Sequence, residues 1–258
     1  MPFLLLTQGD PIGLDLLKKL VDKRYGGSPP ALDALRVTYR GWTAARLGPL
    51  PLRAAVEAVA TYRFPFQIRW DFTVRMLRIF SSRYTTAFDG QVVYEVQGGR
   101  VTRNAEESGV DSARARAWSE AVYFISPMIA DRAIRVQSID NHAFRVFAPD
   151  MPQTAALVRL NEDHTLAAVE VERLDPNDNR VKLQRLKPAG ELIRVDGLIL
   201  PQYLERYWGD TLAMRLSPVR VELNPALEPD TFTLKSEDLL AVLHEDDEAD
   251  SGGSSAAG

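Results

Sequence analysis

From Phe66 to Val74 apolar and polar side chains alternate without a break, with Phe66, Ile68, Trp70, Phe72 and Val74 in one phase and Gln67, Arg69, Asp71 and Thr73 in the other. Successive side chains of a strand point to opposite faces, so this spacing predicts a strand with one apolar and one charged face and excludes a helix there. Turn signals recur around it at Gly48-Pro49, Asp89-Gly90, Gly98-Gly99, Asp140-Asn141, Asn161 to His164, Asp175 to Asn179, Ala189-Gly190 and Asp196-Gly197. Gly, Asn and Asp supply the backbone conformations that short hairpin loops require. The chain therefore reads as hairpin after hairpin in one antiparallel sheet.

Two helical segments interrupt the alternation. Asp10 followed by Pro11 is an N-cap with proline at the first helical position, and Leu14, Leu17, Leu20 and Val21 form one stripe before Gly26-Gly27 ends the segment. A second helix is predicted near residues 112–125, where Trp118, Ala121, Val122 and Ile125 share a face and Ser126-Pro127 stops the run. The fold class is mainly β (α+β): a curved antiparallel half-barrel of ten or eleven strands wrapped around an N-terminal and a mid-chain helix. No βαβ alternation divides it, and residues 1–243 read as a single domain.

Composition removes many functions. The absence of Cys excludes disulfides, thiol catalysis and zinc thiolate sites. His142, His164 and His244 share no metal-ligand spacing, and no nucleophile elbow, dinucleotide fingerprint or phosphate loop is present. Asp175, Asn177 and Asn179 imitate the start of a calcium loop, but Arg180 and Leu186 stand where it needs Gly and Glu, so a polar turn is expected. No catalytic residue, cofactor or metal is expected. An enzyme would need His142 or His164 to meet a carboxylate such as Asp140, Glu162 or Asp163 in space.

The net charge of −4 comes from five acidic residues in 244–258, a Gly- and Ser-rich segment that reads as a disordered tail; without them the charge is +1. No apolar run approaches the roughly 18 residues of a membrane-spanning helix. MPFLLLTQGD lacks the ordered parts of a signal peptide, so the chain as written is expected in the cytoplasm. Arg63, Arg69, Arg75, Arg78 and Arg83 face Asp71 alone across residues 63–83, a positive window suited either to a solvated outer face or to anionic lipid headgroups. No RNA-binding signature accompanies it, and no nucleic acid partner is expected.

The order of elements resembles the LolA/LolB-like superfamily of envelope lipoprotein carriers, over most of residues 12–234. The residues that carry the resemblance are the strand ALRVTYRGW within 31–42, the hairpin FDGQVVYEV at 88–96, RLDPNDNRV at 173–181, and DGLILPQYLERYW at 196–208 followed by PVRVELNPALEPDTFTL at 218–234, where Phe232 seals the sheet. WSEAVYFISPMI at 118–129 is similar to uncharacterised relatives with a helix ending in an apolar-Pro step. The resemblance implies an apolar cavity that binds acyl chains without covalent chemistry, and places the chain in the periplasm or cell envelope if a signal segment was removed.

The expected function is thus a non-enzymatic, monomeric hydrophobic-ligand carrier, with a lipid or lipoprotein acyl chain as partner. Tyr62, Phe66, Ile68, Trp70, Phe72, Trp118, Val122 and Phe124 would line the concave face, and Arg40 and Arg69 would contact the lid or headgroup. The alternative is a structural or regulatory interaction domain with a packed interior that docks a protein partner. Periodicity fits both, because a packed core and a ligand cavity use the same apolar face.

Overall fold

A computed structural model describes residues 8–47, 50–76, 80–129, 134–148, 151–176 and 178–234. In chain order the elements are β1 (Gln8–Gly9), α1 (Pro11–Tyr25), β2 (Ala34–Leu47), β3 (Leu50–Arg63), β4 (Gln67–Met76), β5 (Phe80–Phe88), β6 (Val93–Gln97), β7 (Arg100–Asn104), α2 (Glu107–Phe124) and α3 (Ser126–Ile129). There follow β8 (Arg135–Asp140), β9 (Ala143–Ala148), β10 (Met151–Leu160), β11 (Leu166–Leu174), β12 (Val181–Val195), β13 (Leu198–Trp208) and β14 (Thr211–Leu223). The protein is mainly β, and all fourteen strands belong to one open sheet in the order β1-β8-β9-β10-β11-β12-β13-β14-β2-β3-β4-β5-β6-β7. Every neighbouring pair is antiparallel except β1 with β8.

Two meanders, β2–β7 and β8–β14, join edge to edge where β14 pairs with β2. The strands β7 and β8 are consecutive in the chain yet lie near opposite edges, so the segment between them must cross the whole sheet. That segment is α2. Strand twist of about 20–25° per neighbour curls so wide a sheet, and α1 and α2 lie on the apolar face.

The sheet has fourteen strands where the sequence predicts ten or eleven. Turns with weak signals account for part of the difference, among them Phe64 to Phe66 between β3 and β4 and Gly209-Asp210 between β13 and β14. Ala189-Gly190 is not a hairpin turn but lies inside β12, where the register against β13 shifts between Ala189 and Leu192 and Gly190 has φ +73°. An extra residue at a glycine bends a strand without ending it. The Gly48-Pro49 turn, Asn177, Arg78 and the 244–258 tail lie outside the described residues.

The predicted signals of the first helix act as expected. The Asp10 side chain accepts the Gly13 N–H at 2.9 Å, and Gly26 takes the left-handed conformation (φ 66°) at the other end of α1. Asp10 also accepts from the Ser138 N–H and hydroxyl, and these hydrogen bonds lower its pKa to about 2. The second helix starts at Glu107, five residues before the predicted 112.

On the concave face, strand β3 contributes small residues between two large rows. Ala58 lies opposite Tyr39 and Phe72, and Ala60 opposite Val37 and Trp70. The space lets rings meet: Tyr39 stacks on Trp70 at 5.6 Å and Trp70 on Phe72 at 5.3 Å. From α1, Leu16, Leu17, Leu20 and Val21 are buried in the same core. The Tyr25 hydroxyl donates to the Phe124 carbonyl and ties the helices together, while Trp118 Nε1 donates to the Val146 carbonyl.

The convex face has its own small core of Ala87, Tyr94 and Leu234. Phe232, in the segment after β14, is buried there with the Arg63 guanidinium over its ring. Arg63 and Arg69 also donate to the Leu227 and Thr231 carbonyls.

Candidate functional site

Along α2 the side chains change in size. Its C-terminal half carries Trp118, Val122, Tyr123 and Phe124, all buried, while Gly109, Ser112 and Ala113 of the N-terminal half face the sheet. Large residues fill the concavity and small ones do not reach across it. The result is an open groove of about 1050 Å³ between the N-terminal half of α2 and strands β2, β4–β7 and β11–β14. Its apolar walls include Phe72 stacked on Tyr84 at 4.5 Å, with Val74, Met76, Trp208 and Met214.

The sequence-predicted lining residues divide between the filled and open parts. Tyr62, Trp70, Trp118, Val122 and Phe124 pack in the filled part, where Tyr62 and Phe124 meet edge to face at 5.4 Å. Phe66 is partly buried and tilts against Trp118. Ile68 and Phe72 line the groove. Arg40 and Arg69 point to the convex side: Arg40 is exposed beside Glu57, and Arg69 forms a two-pronged pair with Asp71. Arg75 of the positive window pairs with Glu57 at 3.5 Å.

At the boundary between the two parts lies Glu120, which is 2% exposed. Its Oε2 accepts from the Tyr62 hydroxyl at 2.7 Å and from Trp70 Nε1 at 3.1 Å. Its Oε1 accepts from Arg116 Nε at 3.1 Å and Arg206 Nη2 at 2.9 Å. Burial by itself raises the pKa of this carboxyl, but the two guanidinium groups and the tyrosine hydroxyl outweigh it and hold Glu120 below its ordinary range. Both guanidinium groups also lie over the Trp70 ring, at 5.5 and 5.3 Å. Burial pushes the Arg206 pKa down, with Glu120 opposing it.

Arg116 and Arg206 line the groove together with Arg173 and Gln184. Sequence reading did not single out these four residues, nor Glu120, although their phase marks them. Val169, Val171 and Arg173 share one face of β11, Gln184 and Leu186 one face of β12, and Leu204, Arg206 and Trp208 one face of β13. A charged or amide side chain in step with a buried apolar row is the available signal.

His142 and His164 meet at the β8–β9 and β10–β11 turns, with ring centroids 6.1 Å apart, and neither lines the groove. Asp140 accepts the backbone N–H of His142, and Asp163 accepts from Thr165, so these carboxylates organise the turns. In the predicted polar turn after β11, Lys182 bridges Asp175 and Asp178, each at 2.7 Å. Among the described residues no group of three or more His, Asp and Glu is placed to hold a metal ion, and no helix is long and apolar enough to cross a membrane.

A family model described as a family of unknown function (DUF6544) matches residues 24–213. No curated protein matches the chain. Among solved structures, a LolA superfamily protein from Nitrosomonas europaea is similar with a TM-score of 0.48 and 11% identity, covering 86% of this chain and 97% of that one. A domain from Vibrio parahaemolyticus, provisionally described as an outer membrane lipoprotein-sorting protein, gives a TM-score of 0.46 and 10% identity over 88% of this chain and 97% of that one. A DUF1329 family protein from Desulfovibrio piger gives 0.45 and 11% over 89% and 99%.

Proposed function

We propose that this chain, which belongs to the DUF6544 family, is a non-enzymatic binding or carrier protein for a hydrophobic ligand, a lipid or the acyl chain of a lipoprotein. The observation that carries the reading is the open groove of about 1050 Å³ with Phe72, Tyr84, Val74 and Met214 along it. Ligand pockets span about 300–1,000 Å³, so the space suits a lipid tail. Each methylene taken from water contributes about 0.8 kcal/mol, and a dozen of them about 10 kcal/mol before the cost of association. A groove open to solvent lets a chain enter sideways and leave again, as carriage requires.

The test is fluorescence titration of the full chain with a neutral pyrene-tagged alkyl alcohol, in parallel with Ala113→Trp, which places an indole where α2 leaves room. The expected outcome is saturable binding that the substitution weakens by tenfold or more. Absence of saturable binding to the unsubstituted protein sinks the reading.

A further inference from the structure

The groove holds an excess of positive charge: Arg103, Arg116, Arg173 and Arg206 line it against Glu95 and Glu106, with Glu120 beside it. Arg116, Arg173 and Arg206 reach it from α2, β11 and β13, and Glu120 pairs with the first and the last. Arg173 makes no ion pair among the described residues. Its Nε donates a long 3.4 Å hydrogen bond to Ser112 Oγ, and its guanidinium lies 5.5 Å from the centre of the Trp208 ring. One Nη of Arg116, the Nε of Arg206 and both amide atoms of Gln184 are buried without a hydrogen-bond partner, and Gln184 is 0% exposed. Buried polar groups are nearly always satisfied, and four such atoms around one groove mark a place built for a polar group. Burial, then repulsion from Arg116 and Arg206, pushes the Arg173 pKa well below its ordinary value despite the opposing Glu120 and Asp175 carboxylates, so a further anion would relieve the site.

We propose that Arg173, backed by Arg116 and Arg206, binds the anionic end of an amphiphile, a carboxylate or a phosphate, whose alkyl part lies along Phe72, Val74 and Met214. This inference rests on the apolar-ligand reading and adds the class of ligand. Guanidinium groups present paired N–H donors that match both anions. Arg173 suits the role because it is half-buried, faces the groove and stands outside the Glu120 cluster.

The test measures affinities of the full chain for hexadecanoate, hexadecyl phosphate, 1-hexadecanol, acetate and inorganic phosphate by calorimetry at pH 8. At least one anionic amphiphile is expected to bind about tenfold or more tighter than the alcohol, the worth of one charge-assisted hydrogen bond, and the better of the two tells which anion fits. Arg173→Gln should bring that ratio toward one and Arg173→Lys should retain part of it, with circular dichroism showing both variants folded. Equal binding of acid, phosphate ester and alcohol overturns the anion site and leaves the carrier reading standing. No binding of any hexadecyl compound overturns both. Acetate or inorganic phosphate binding as tightly as the amphiphiles overturns the assignment of an amphiphile, since the alkyl part would then contribute nothing.

Discussion

The two halves of the concave face share strand β4, with Trp70 in one and Phe72 in the other, and are covered by the same helix, yet one is packed and the other is open. Beside Phe124 the Tyr62 ring stacks on Phe64 and meets Trp70 edge to face, and Phe64 meets Phe124 edge to face. Two turns earlier on α2, Ser112 and Ala113 face Phe72, Val74 and Tyr84 across empty space. The sheet supplies apolar side chains to both parts, so the size of the facing helix residues decides whether a stretch of sheet becomes core or cavity. Glu120 and its two arginines sit at the border, where a carboxylate can satisfy buried donors from the filled side while its partners reach into the open one.

Substitutions along α2 break this comparison directly. Removing Trp118 from the filled half should cost about 3–5 kcal/mol, the usual consequence of emptying a large buried aromatic site; urea unfolding of Trp118→Ala measures it. A smaller and more diagnostic contrast comes from one change made in both halves. Ala121→Leu, at a position 0% exposed, should destabilise by about 1–3 kcal/mol through overpacking, whereas Ala113→Leu should stay within about 0.5 kcal/mol. Equal losses at the two positions would mean that the groove is closed in solution.

Acid should act on the border. Glu120 has a folded pKa below its unfolded one, so its contribution is fully present above the unfolded value near 4.3 and is lost as pH falls through the lower folded value. The stability of the unsubstituted protein should therefore fall more steeply between about pH 5 and 3 than that of Glu120→Gln, which has no proton to take up there. Parallel slopes in chemical denaturation at the two pH values would remove Glu120 from the acid response.

Much of this architecture is legible in the residues. Alternation at 66–74, the Asp10-Pro11 helix start and the Gly-Asn-Asp turns are local signals, and each acts within a few residues of itself. The readings that missed share a cause. Ala189-Gly190 reads as a turn because its glycine admits a left-handed backbone, but the pairing of β12 with β13 on both sides keeps the strand going. The predicted aromatic lining includes core residues because alternation tells which face a ring occupies and not what stands opposite. Arg173 and Arg206 escape a reading by motif, since they lie 33 residues apart in the chain and come to one groove through two antiparallel pairings, β11 with β12 and β12 with β13.

By itself the sequence determined a mainly β chain, its two main helices with the caps of the first, and an interior without thiols. These follow from backbone sterics and the period of apolar side chains, which are properties of short segments. The tertiary structure alone decided where α2 lies along the sheet, and with it which apolar residues are core, which line a groove, and which guanidinium groups share one carboxylate. The reason is topological: β7 and β8 lie near opposite edges of a fourteen-stranded sheet, so the helix between them is placed by the pairing of strands distant in sequence.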